Sequence, residues 1–377
     1  MLRLAGLYNA RMRPSYLFEV MSWRGLVVVA VMGALATVAA VPAWAGPSFA
    51  SAVQATGLVG GQAPAWSSDG SEIAYIGPGP YEHFVGETLT DEDNLNHVFV
   101  VPADGSVAPK SVVTAPKGDT LDAVSFGPGG SFVYQDSNYT LWLAMPGRKP
   151  SRVATVGVAG RSGIAYALSP DGRMVAFDAP CGCKLAQADA IETRALAGGK
   201  VRRLSRFPAV DPSFSPDSTH VVFSGADGSV VIEPAAGGAS RSLGVDGEEP
   251  EWSPNGHWIA FLGKNDAFQI VTVTGGTPKT LIRGDVYPKG VVTYSWAPDS
   301  SELVWLTGTT LGTVDLNGKT TTFSLPGLRV GGEGVPQFSP DGSSIAFTAR
   351  ALKTTDPNPD IRIYVIGANG KGLRRVA

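Results

Sequence analysis

One short turn motif recurs seven times along this chain, and it restricts the fold more than any other feature of the sequence. Its clearest copy is Phe338-Ser339-Pro340-Asp341-Gly342, followed at once by a β-branched and aromatic run. The aromatic or aliphatic anchors of the copies are Trp66, Phe126, Leu168, Phe214, Trp252, Trp296 and Phe338. They step by about 60, 42, 46, 38, 44 and 42 residues, the period of four-stranded propeller blades. The turn chemistry explains the motif. Pro presets φ for a type I turn, Asp bonds its own backbone, and Gly accepts the left-handed conformation that follows. Such a turn joins two antiparallel strands. Copies such as Gly127-Pro128-Gly129-Gly130 and Pro298-Asp299-Ser300 keep the turn chemistry while losing letters of the motif. The repeated aspartates are therefore read as structural.

Each anchor hairpin is followed by a third strand, a Gly-bearing turn and a fourth strand. The expectation is an all-β fold, a single β-propeller of seven four-stranded antiparallel blades over residues 63–377. Apolar residues on both faces of Ser344–Thr348 suit a sheet packed between two neighbours. A composition of 47 glycines and 28 prolines with 17% charged residues fits so many turns. A ring closed without a blade shared between the chain ends is expected.

The first 45 residues read differently. Arg24 precedes an apolar stretch ending in Ala43-Trp44-Ala45, the order of a secretory signal with cleavage after Ala45. Met21 is a second candidate start. The alternative is an uncleaved anchor over residues 26–45, the only membrane contact expected. Residues 46–62 read as a linker. The chain carries a net charge of −3, and about −6 without the first 45 residues, so nucleic acid is not an expected partner.

The pattern P-x-W-S-P-D-G-x-x-I-A-F, followed by a strand, a Gly-Gly turn and another strand, resembles the TolB-type propeller repeat. The resemblance covers residues 63–377 and implies an extracytoplasmic propeller that binds other envelope proteins. It departs from TolB itself, which pairs six blades with a separate N-terminal domain. Related repeats cap prolyl-oligopeptidase-type hydrolases, but no G-x-S-x-G elbow occurs in this sequence.

No catalytic constellation, cofactor or metal site is expected. His83, His97, His220 and His257 have no short metal-ligand spacing, and Asp91-Glu92-Asp93 lacks the spacing of a calcium loop. Cys181 and Cys183, separated by one Gly, form a possible disulfide. Loop length says more. On the face away from the repeated turns, blade 1 carries a long insertion with Tyr81, His83, Phe84, Asp91, Glu92 and Asp93. The links between blades add Asp122, Asp211, Glu248, Glu249, Asp285 and Glu333. The residues singled out for binding are those six of the insertion together with Asp211, Glu249 and Glu333. The function expected is a monomeric, exported, non-enzymatic scaffold for a protein or envelope polymer. The alternative is a small-ligand, carbohydrate-binding or lyase-type propeller with a site in its central channel.

Overall fold

The computed structural model describes residues 64–77, 95–116, 119–157, 166–181, 189–264, 267–284, 293–307, 309–330, 334–352 and 362–377. Within them lie seven antiparallel sheets, each built from one continuous stretch of chain. Blade 5 shows the pattern: Glu248–Trp252, Trp258–Leu262, Phe268–Thr272 and Lys279–Ile282, ordered as they occur. Blade 1 begins at Ala65–Trp66 and blade 7 ends at Arg374–Arg375, so no sheet combines the two chain ends. Besides strands, a 3-10 turn lies at Pro128–Gly130.

The core lies between the blades, not within any one of them. Seven clusters of buried apolar side chains are present, and each joins one blade to the next. Alternation along a strand produces this division. Ile345 and Phe347 of blade 7 face blade 6, whereas Ala346 between them faces blade 1. The cluster of Ala346, Ile363, Val365 and Val376 with Trp66, Ile73 and Val101 closes the ring. Two polar contacts reinforce it: Trp66 Nε1 donates to the Gln337 carbonyl at 3.2 Å, and Arg374 Nη2 to that of Ala103 at 3.0 Å.

The repeated turns consume their own acids. In the last copy Ser339 Oγ donates to Asp341 Oδ1 at 2.6 Å, and Ser343 N–H donates to the same oxygen at 3.0 Å. The first copy repeats this, with Ser67 and Ser71 both donating to Asp69. These donors hold the Asp69 carboxyl down at about 2. A carboxylate so satisfied is a turn lock. The turns also touch one another around the ring. Gly70 meets Pro340, Gly172 meets Pro128, Gly256 meets Pro216 and Gly342 meets Pro298, each the proline of the preceding blade. In two blades a serine takes the glycine position, with φ of 63° at Ser218 and 62° at Ser300. Its hydroxyl then accepts from the neighbouring turn, from Asp171 N–H at 3.1 Å and from Asn255 N–H at 2.9 Å.

At Gly172, φ is +67° and an added Cβ would lie 3.1 Å from the Pro128 ring. Gly172→Ala is expected to cost about 1–2 kcal/mol, the penalty of a left-handed L-residue. A chemical denaturation midpoint unchanged from the parent would contradict this.

Blade 7 departs from the simple pattern. Its inner strand is in two pieces, Leu328–Val330 and Gln337–Phe338, both paired with the eight-residue strand Ser344–Ala351. Part of what reads as a link into this blade is therefore inner strand.

Candidate binding face

Each inner strand runs toward its tight turn, so its first residues lie at the opposite mouth of the channel, together with the links between blades. Four acids read from the sequence as link residues sit inside inner strands. Asp122 lies in Leu121–Phe126, Asp211 in Ala209–Phe214, and Glu248 with Glu249 in Glu248–Trp252. The reason is a β-bulge near the start of each of these strands, between Leu121 and Ala123, Val210 and Ser213, and Glu248 and Glu251. An extra residue breaks the period-2 pattern, and the sequence then looks like loop.

The bulges at Asp211 and Glu249 are strained. Their φ values are 60° and 55°, and each precedes a proline, Pro212 or Pro250. Non-glycine residues in this conformation collect at functional sites. Tyr294, on the inner strand of blade 6, reaches back across the interface. Its hydroxyl donates to the carbonyls of Glu249 and of Ala260, the latter at 3.1 Å. Burial raises the Tyr294 hydroxyl well above its usual range, with the charges of Glu251, Glu249 and Asp211 adding to the shift. The structure thus brings Asp211 and Glu249 to one place and adds Glu251.

Glu251 was not anticipated as a site residue. It is 4% exposed and occupies the position just before the anchor, where other blades carry Ala65, Ser125, Ala167, Ser213, Ser295 and Gln337. The serines at this position bond the next blade: Ser213 Oγ accepts from Trp252 N–H at 3.1 Å, and Ser295 Oγ donates to the Pro336 carbonyl at 2.7 Å. Glu251 follows the same rule by accepting from Trp296 N–H, while Trp296 Nε1 donates to the Glu251 carbonyl at 3.3 Å. Its Oε2 is buried without a hydrogen-bond partner. The signal in the sequence was a long acid where small residues predominate.

Burial pushes the Glu251 carboxyl well above its ordinary value of 4.5. The folded protein therefore holds a proton that the unfolded chain releases near 4.5. Stability from this group is complete below that pH and is lost as pH rises toward the folded pKa, by at most about 1.4 kcal/mol per pH unit. Glu251→Gln should flatten that part of the stability–pH profile. Parallel profiles for parent and variant would contradict the assignment.

Blade 2 carries a second acidic group at the same mouth. Asp122 is raised to about 6 by burial, with the neighbouring Asp136 carboxylate adding. The fully buried Gln135 donates to Asp122 Oδ2 at 3.4 Å, and Asp136 accepts from Trp142 Nε1 at 2.7 Å. A further candidate missed in the sequence is Phe207. It is 78% exposed in the link from blade 3 to blade 4, between Arg206 and Pro208. A phenylalanine flanked by link residues rather than by a strand was its signal.

Tyr81, His83, Phe84, Asp91, Glu92, Asp93, Asp285 and Glu333 lie outside the described residues. So does Cys183; Cys181 is buried at the end of Met174–Pro180, its carbonyl accepting from Arg203 Nη1 at 2.6 Å. The described histidines are spread over blades 1, 4 and 5. His97 Nδ1 lies 2.7 Å from Ser111 Oγ, and His220 Nδ1 lies 2.7 Å from Thr219 Oγ1. Among the described residues no group of three or more His, Cys, Asp or Glu could hold a metal ion.

Sheets and interfaces together define a seven-bladed β-propeller, with Asp211, Glu249 and Glu251 near Tyr294 on adjoining inner strands. Among solved structures it is similar to a protein provisionally identified as TolB from Agrobacterium tumefaciens. The two share 18% identity over 72% of this chain and 84% of that chain, with a TM-score of 0.41. No protein-family model matches the chain. No curated protein matches it either.

Proposed function

We propose that this chain is an exported, non-enzymatic binding scaffold that takes a protein or envelope-polymer partner on the face away from the tight turns. The observation that carries the reading is the contrast between the two faces. On one, aspartates such as Asp69 and Asp341 are spent on their own turns. On the other, Asp211, Glu249 and Glu251 gather around Tyr294 on adjoining inner strands, two of them on strained bulges. Rigid strands hold the carboxylates of Asp211 and Glu249, so their spacing can discriminate one partner from another, while the buried Glu251 underlies them. Carboxylates at a channel mouth favour a basic partner surface, with association weakened by salt. The insertion of blade 1, with Tyr81, His83, Phe84, Asp91, Glu92 and Asp93, and Glu333 of blade 7 extend the same face in this reading. The apolar stretch before Gly46 supports export, with cleavage after Ala45.

The test compares the full chain, a chain lacking residues 82–94, and the variant Asp211→Asn/Glu249→Asn for capture of a partner from envelope extract. Both changes should cut capture at least about tenfold while circular dichroism and melting stay near the parent, since residues 82–94 fall outside the strand pattern of the sequence and Asp211 and Glu249 are polar, half-buried side chains. Capture that survives both changes, yet fails when Asp171 and Asp341 are replaced, would put function on the turn face.

A further inference from the structure

Away from the channel, a cleft of about 270 Å³ opens between the outer parts of blades 2 and 3. Arg152 and Val153 of Ser151–Thr155 form one wall, Glu192 and Arg194 of Asp189–Ala195 the other, and Phe177 and Val201 supply apolar surface. Phe177 is 1% exposed, so its ring is held by the core and cannot swing to fill the space.

The charges in the cleft do not balance. Glu192 is engaged by Arg203, whose Nη2 and Nε lie 3.3 and 3.4 Å from Oε1. Among the described residues Arg152 and Arg194 are in no ion pair. Arg152 Nη2 donates to Thr155 Oγ1, and Arg194 Nη1 donates across the blade boundary to the Val153 carbonyl. Both acceptors are neutral. Arg194 Nε–H is buried with no acceptor at all. Two guanidinium groups with no carboxylate partner among the described residues therefore flank one cavity, in a chain whose net charge is negative.

We propose that this cleft binds a small organic oxyanion, a carboxylate or a phosphate ester on a compact and partly apolar body. The guanidinium fork presents parallel N–H donors that match either oxyanion, and the charge-assisted bonds so formed are the strong class. The cavity holds a ligand no larger than a few carbons or one sugar ring, below the usual size of drug-sized pockets. The exposed Val201 would cover its apolar side, with the buried Phe177 beneath the cleft floor, and Glu192 can accept from a hydroxyl on the ligand. The cleft is independent of the channel mouth, and either can fail without the other.

The test is calorimetric titration of the full chain with inorganic phosphate and, separately, with glucuronate. Saturable binding of at least one probe is expected below about 20 mM, weakened at least about tenfold by Arg152→Gln. Arg152 is an exposed side chain, so its replacement leaves the core intact. Arg241→Gln, on another blade, should bind as the parent does. A phosphate response alone assigns the phosphate class, and a glucuronate response alone assigns the carboxylate class. Absence of saturable binding by either probe, or binding that Arg152→Gln leaves unchanged, overturns the proposal.

Discussion

Trp66→Ala is expected to destabilise the protein by about 3–5 kcal/mol, the range for removing a large aromatic side chain from a close-packed core. Trp66 is 2% exposed and packs with Ile73 and Val101 of its own blade and with Ala346, Ile363, Val365 and Val376 of blade 7. Its position makes it more than one core residue among many. Blades 1 and 7 come from opposite ends of the propeller sequence, so no turn or short link holds this interface together. Side-chain packing, the bond to the Gln337 carbonyl and the Arg374 bond to Ala103 must do so. The lost indole also removes the bond to the Gln337 carbonyl, which adds to the cavity term. Urea denaturation reads the effect as a lower midpoint at unchanged slope. A loss below about 1 kcal/mol would mean that this interface contributes little to closure.

A loss of about 1–3 kcal/mol is expected from Gly312→Ala in blade 6, for the opposite reason. Gly312 pairs with Trp305, which is fully buried, and the indole lies across the glycine. An added Cβ would sit 2.5 Å from the Thr321 carbonyl oxygen and 2.6 Å from Trp305 Cζ2. Neither neighbour can yield easily, because one is backbone and the other is clamped between blades 5 and 6. Replacing Trp305 by Leu in the same chain should recover part of the loss, since the two changes share a contact. Additive losses in the double variant would show that the clash with the indole is not the cause.

The fold was legible in the sequence because its determinants are local. The Ser–Asp turn satisfies itself through bonds two to five residues apart, so each copy carries its own evidence. Strand three and strand four follow it at short range, and the alternation of Ile345, Ala346 and Phe347 already announced two packed faces. The site was less legible because its determinants are not local. Asp211 and Glu249 looked like link residues, since a bulge and a following proline hide the strand they belong to. Glu251 stands out only when the seven copies are aligned on their anchors. The arginine cleft was beyond reach: Arg152 and Arg194 are 42 positions apart on polar outer strands, and only the packing of blades 2 and 3 makes them neighbours.

The proposed binding face is best tested by site-specific photo-crosslinking in cells that express the full chain. Phe207, 78% exposed in a link at the acid-bearing mouth, is replaced by an aromatic photo-crosslinking residue. Met145, 42% exposed in the turn after Thr140–Ala144 on the other face, is replaced in a second chain. A discrete adduct from position 207, reduced by Asp211→Asn/Glu249→Asn and absent from position 145, is the predicted result. A discrete adduct from position 145 alone, or none from either position, would contradict a scaffold that binds through its acid-lined mouth.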